Sequence, residues 1–170
     1  MDIYRHRPKE VFRVHPVVLS VIVFISLLLQ VTLPPTLPLA HLFQFPLLVV
    51  VYFSMVRENQ TFGIAFGTAI GLLQDALSHG YLGQMGMAKA LVGYLAATAG
   101  LKFEFDNLIV RGLLIGILVL IHNGFLYLLI HELLGLPLPF ELLHLLASIL
   151  VNIAIGLILF PILDRFRLPA

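Results

Sequence analysis

The sequence predicts an all-α integral membrane protein with six transmembrane helices. Three observations carry this. Hydrophobic residues make up 60% of the 170 and charged residues 11%, against roughly 45–50% and 25% in globular domains, and mean hydropathy is +1.04. A chain so short of polar groups cannot cover a water-facing surface, so the bilayer is its solvent. The chain divides into six apolar runs, each near the roughly 17–25 residues that cross a membrane. The basic residues, finally, gather on one side of that division.

The runs are bounded by prolines, glycines and charges. Span one covers Pro16–Leu33 and stops at Pro34-Pro35. Arg5, Arg7, Lys9 and Arg13 precede it as in a signal peptide, but the run exceeds a usual apolar region of about 7–15 residues and no small-residue cleavage site follows. It is therefore expected to stay as a first helix. Span two covers Leu37–Val56 and stops at Arg57-Glu58-Asn59-Gln60. Span three covers Thr61–Leu77 and stops at Ser78-His79-Gly80. Span four covers Gln84–Leu101, before the polar stretch Lys102–Asn107. Span five covers Leu108–Leu134 and stops at Gly135-Leu136-Pro137-Leu138-Pro139. Span six covers Glu141–Leu163 and ends at Asp164-Arg165.

With six alternating spans, one face receives Arg5, Arg7, Lys9, Arg13, Arg57, Lys102, Arg111, Arg165 and Arg167, nine of the ten Lys and Arg. Such a bias marks the cytoplasmic side. Both termini are expected there, as a basic tail over residues 1–15 and a short tail over 164–170, flanking one membrane domain over 16–163. With no Trp, the interfacial aromatic role falls to Tyr4, Tyr52, Tyr81 and Tyr127. The connections leave no soluble module for chemistry or nucleic-acid binding.

The tenth cation, Lys89, lies inside span four, and Asp75 lies inside span three. An ionisable group at the centre of a membrane helix costs roughly 2.5–3.5 kcal/mol on insertion scales. Gly63, Gly67, Gly71 and Asp75 are each four residues apart, so they share a helix face, and small residues at that spacing let another backbone approach. Span four offers Gly86, Lys89, Ala90, Gly93, Ala97 and Gly100 on one face. With the outer turn centred near Leu82, Asp75 and Lys89 are both seven residues from it, roughly 10 Å in. They are expected to face each other as an intramembrane pair. The simpler alternative has Lys89 reaching the headgroups along its stem and Asp75 bonding near Ser78 and His79.

A further polar stripe joins Asn123, Tyr127 and His131 of span five to His144, Ser148 and Asn152 of span six. Interhelical hydrogen bonds are the expected use; a cavity in the outer half is the alternative. The histidines show no metal-binding spacing with a carboxylate. There is no cysteine, no Gly-x-Ser-x-Gly and no phosphate-binding loop, and Asp75 has no second intramembrane Asp to share a proton. Neither cofactor nor enzymatic activity is expected.

The segment Gly71, Leu72, Leu73, Asp75, Leu77, Ser78, Leu82, Gly83, Val92, Gly93, Tyr94 and Leu95 resembles the MreD family of rod shape-determining membrane proteins in order and spacing. So do LLLQVTLPPTLP at 27–38 and FPILDRFR at 160–167. His79 stands where the family usually has Gly, and the basic N-terminal tail is longer than in many members. The resemblance implies a non-enzymatic inner-membrane component of the machinery that builds side-wall peptidoglycan. It implies an MreC-like partner, together with a RodA-like polymerase, a penicillin-binding transpeptidase and an MreB-like filament. It also implies an architecture similar to the six-span S-components of energy-coupling-factor transporters. A vitamin-binding S-component is the alternative function.

Overall fold

A computed structural model describes residues 15–32, 42–78, 81–103, 107–133, 135 and 141–166. The basic tail, the Pro34-Pro35 break, the start of span two at 37–41, His79, and the Pro137 and Pro139 turn lie outside the described residues.

The described residues are helical, with no strand among them: α1 (Pro16–Thr32), α2 (Phe45–Arg57), α3 (Gln60–Ser78), α4 (Gln84–Lys102), α5 (Leu108–Leu128) and α6 (Leu142–Asp164). A π-helical turn, Leu129–Leu133, prolongs α5. Local chemistry sets several ends. Pro46 sits in the first turn of α2, where its missing N–H costs nothing. Glu58 takes a left-handed conformation (φ 50°) that ends α2. Asn59 accepts from the Phe62 N–H at 2.9 Å to start α3, and Asn107 accepts from the Ile109 N–H at 2.8 Å to start α5.

Two stretches, Leu108–Glu132 and Leu142–Asp164, are long and apolar enough to cross a membrane. The others differ for physical reasons. α3 and α4 carry so many glycines, alanines and polar groups that their mean hydropathy falls. α2, with 13 residues, spans only about 20 Å at 1.5 Å per residue. It is the central helix: every residue from Pro46 to Val56 is buried, and it touches each of the other five helices. The main core forms around it, with Leu47, Leu48, Val50, Ile70, Val92, Ile115 and Val119. Around α2, α1 lies beside α3, α3 against α4, α4 beside α5, and α5 against α6.

Tyr52 departs from its expected interfacial role. It is 2% exposed, packs edge-on against Phe53 and Phe160, and donates its hydroxyl proton to Asp164 Oδ1 at 2.9 Å. The aromatic ring fills core volume while the phenol keeps a polar partner. Exposed large side chains elsewhere are mostly apolar, such as Val17, Phe24, Leu113, Leu143, Leu150 and Ile158. That is the surface a bilayer solvates.

Candidate functional site: the α3–α4 hairpin and its polar neighbours

The most extensive helix contact among the described residues joins α3 to α4, and glycine makes it possible. A Cβ added at Gly63 would collide with the Gly93 carbonyl, at Gly67 with the Lys89 carbonyl, and at Gly71 with the Met85 carbonyl and Gly86. A Cβ at Gly93 would meet the Gly63 carbonyl in return, while one at Gly86 would stand 3.2 Å from the Leu72 side chain. Gly63, Gly67, Gly71, Gly86 and Gly93 thus lie in this interface, mostly backbone against backbone, whereas Gly100 of the same expected face lies against Met55 of α2.

These contacts also fix the register. Moving four residues forward on α3, from Gly63 to Gly67 to Gly71, moves about four residues back on α4, from Gly93 to Lys89 to Met85. Continued one step, the register sets Gln84, the first residue of α4, opposite Leu72. The last turn and a half of α3 therefore overhangs the start of α4, and Asp75 lies on the overhang.

The carboxylate of Asp75 folds over that exposed helix end. It accepts from the backbone N–H of Gly83 at 2.9 Å, of Met85 at 3.2 Å and of Gly86 at 3.3 Å. The first N–H groups of a helix lack internal partners, and the helix dipole favours negative charge there. α4 has no side-chain cap of its own: Gly83 occupies that position, in the left-handed region at φ 99°. Asp75, borrowed from the preceding helix, does the capping.

The expected Asp75–Lys89 ion pair is not formed. Both residues are 1% exposed, so neither reaches the surface, but no ion pair joins them among the described residues. The register between the two helices differs from the one the pairing assumes. Lys89 sits opposite Gly67, eight residues from Asp75 along α3, or about 12 Å at 1.5 Å per residue. The Lys89 side chain runs back toward the N-terminus of its helix, as helical side chains do, and Nζ ends 3.6 Å from Met85 Sδ. That brings the ammonium within electrostatic reach of Asp75 and of His122, without a hydrogen bond to either. His122, on α5, is 2% exposed, and neither ring nitrogen has a hydrogen-bond partner. Its neighbour Asn123 has its own amide engaged elsewhere.

The predicted polar stripe divides. Asn123 Oδ1 accepts from Gln44 Nε2 at 2.7 Å, and Asn123 Nδ2 reaches Ser148 Oγ at 3.5 Å. Asn152 accepts from the Gln44 N–H at 3.1 Å and donates to the Leu42 carbonyl at 2.7 Å; Ser148 donates to the same carbonyl at 3.3 Å. Three stripe residues thus tie α5 and α6 to the turn before α2, satisfying backbone groups that hydrocarbon could not. Tyr127 and His131 instead stack on one another, 5.3 Å between ring centres, and His131 meets Glu132 at 3.0 Å in an exposed position. His144 is exposed and takes no part in the network. Among the described residues no three His, Asp or Glu side chains gather as a metal site.

Sequence reasoning missed one cluster. Arg111 had counted only as a topology charge, and Asp164 as the end of a span. The Arg111 guanidinium meets Asp164 at 2.8 Å, and Tyr52 shares the same carboxylate. Arg111 falls in the first turn of α5, which was the available signal that it belongs to a helix rather than a loop.

A model of the family described as rod shape-determining protein MreD matches residues 12–167. No match was found among curated proteins, and none among solved structures.

Proposed function

Because the chain belongs to the MreD family of rod shape-determining proteins, we propose that it is a multi-pass membrane scaffold of the cell-wall elongation machinery. The family is one of shape-determining structural components, not a known enzyme family. In this reading the chain crosses the bacterial cytoplasmic membrane six times, with both termini in the cytoplasm, and binds an MreC-like single-span partner through its helices. A RodA-like polymerase, a penicillin-binding transpeptidase and an MreB-like filament complete the assembly. The family match over 12–167 is the observation that carries it. The distribution of basic residues supports the topology. The use of Asp75, Asn123 and Asn152 as internal fasteners agrees with a role that holds shape rather than turning over a substrate.

The test is purification of the full chain from its native membrane after crosslinking, alongside depletion in the same cells. Co-purification of an MreC-like protein, with rods becoming round on depletion, is the expected result. Rod shape kept after depletion, or a purified chain carrying transporter ATPase subunits, would sink the scaffold reading in favour of an S-component.

A further inference from the structure

We propose that the chain binds a small oxyanion-bearing ligand, a phosphate or carboxylate group flanked by hydroxyls, in a cavity of the helix bundle lined by both polar and apolar side chains. The cavity has a volume of about 180 Å³ and is lined by Gln30, Gln44, Gln74, Lys89, His122 and Leu126 among others. These residues come from α1, the turn before α2, α3, α4 and α5. An occupant shared by so many elements sits within the bundle, so it is a small molecule or a headgroup, not a partner helix on the outer face. In the proposed topology this is the extracytoplasmic half.

Its chemistry follows from what is left unpartnered. Among the described residues the hydrogen-bond partner of Lys89 Nζ is a thioether sulfur, a weak acceptor. No carboxylate lines the cavity, and the nearby Asp75 commits its oxygens to the N–H groups of Gly83, Met85 and Gly86. His122 adds an N–H donor and a ring acceptor, neither used. Gln44 Oε1 and Gln74 Oε1 are buried acceptors without donors. Buried polar groups are ordinarily paired, and groups left over inside a membrane protein are costly and mark function. An oxyanion answers Lys89 and His122; hydroxyls beside it answer the two glutamines. Size narrows the class further. The volume is below the roughly 300–1,000 Å³ of pockets for drug-sized ligands.

The shared chemistry has two sources, a free solute or a lipid headgroup, and water alone is the competing occupant. The experiment measures the Tm of the purified full chain in neutral detergent against rising inorganic phosphate, glycerol 1-phosphate, acetate, or short-chain phosphatidylglycerol, with phosphatidylcholine as the lipid control. A ligand bound only by the folded state must raise Tm. A saturable rise with a soluble oxyanion assigns a free solute. A rise with phosphatidylglycerol, but not with phosphatidylcholine or soluble probes, assigns a headgroup. In either case Lys89→Gln weakens apparent binding about tenfold or more, whereas Arg57→Gln, at an exposed cation away from the cavity, leaves it unchanged. Leu126→Trp, which fills the cavity while keeping the Lys89 side chain in the sequence, abolishes the shift and guards against a Lys89 variant that fails to fold. No rise with any probe in the wild-type chain, or an equal rise in Leu126→Trp, overturns the proposal and leaves a water-filled cavity. Neither result bears on the scaffold function, which co-purification tests separately.

Discussion

Asp75 shows how a single charged residue in an apolar chain is stabilised without a direct ion pair. Its carboxylate takes three backbone N–H groups at the start of α4, so a helix end does the work of a cation. Losing the side chain leaves those donors, buried or part-buried, without their acceptor. Asp75→Ala is expected to destabilise the protein by about 2–3 kcal/mol, at the upper end of lost caps and unmet buried donors. Asp75→Asn, which keeps an acceptor oxygen, is expected to cost about half as much, read by denaturation in detergent. An exchange of charges between Asp75 and Lys89 is expected not to restore stability, because it sets an ammonium against the positive end of α4. Recovery in that double variant would revive the ion pair. On the opposite side of the core, Asp164 has a cation as well as a phenol: Arg111 at 2.8 Å and Tyr52 at 2.9 Å. Removing Asp164 takes a charged hydrogen-bond partner from the buried guanidinium, so Asp164→Ala is expected to cost roughly 1.5–3 kcal/mol, measured the same way.

At the scale of elements, the α3–α4 hairpin is held by the absence of side chains. Gly63, Gly67 and Gly71 allow α3 to lie backbone to backbone on α4, and any Cβ there meets a carbonyl that belongs to a helix and cannot swing aside. Gly67→Leu is expected to separate the two helices and prevent a stable fold, seen as loss of monodisperse protein on size exclusion. By contrast, Gly124, with open space around its Cα, should accept Ala without loss of yield. Equal tolerance at both positions would contradict the close packing. α2 obeys a different rule. It is apolar all round because every side of it is covered by another helix, the pattern of a buried helix.

At the scale of the whole molecule, the proposed six-span topology makes a clean prediction, since the chain has no cysteine. Single cysteines at positions 35, 82 and 138 should be labelled from outside intact cells by an impermeant maleimide. Cysteines at 58 and 104 should be labelled only after permeabilisation. The reverse pattern would invert the protein, and a mixed pattern would change the number of spans.

Much of this was legible in the sequence because it depends on local composition. Apolar run lengths, prolines, glycines and charges place α1, α3, α4, α5 and α6 within a residue or two of their expected starts, and the four-residue spacing of small residues marks the α3–α4 face. Helix periodicity is a local property, so sequence carries it. The partners of the polar groups were not legible, because register is not local. Nothing in the spacing of Asp75 and Lys89 discloses that α3 outruns α4 by a turn and a half. That overhang turns an apparent ion pair into a cap and leaves Lys89 facing a cavity. Likewise Tyr52, Arg111 and Asp164 lie far apart in the chain and meet only when α2, α5 and α6 pack. The sequence by itself determined an apolar, helical, membrane-seeking chain and the faces its helices would use. Only the tertiary structure decided which buried polar groups satisfy one another and which remain open, because that depends on how far each helix slides along its neighbour.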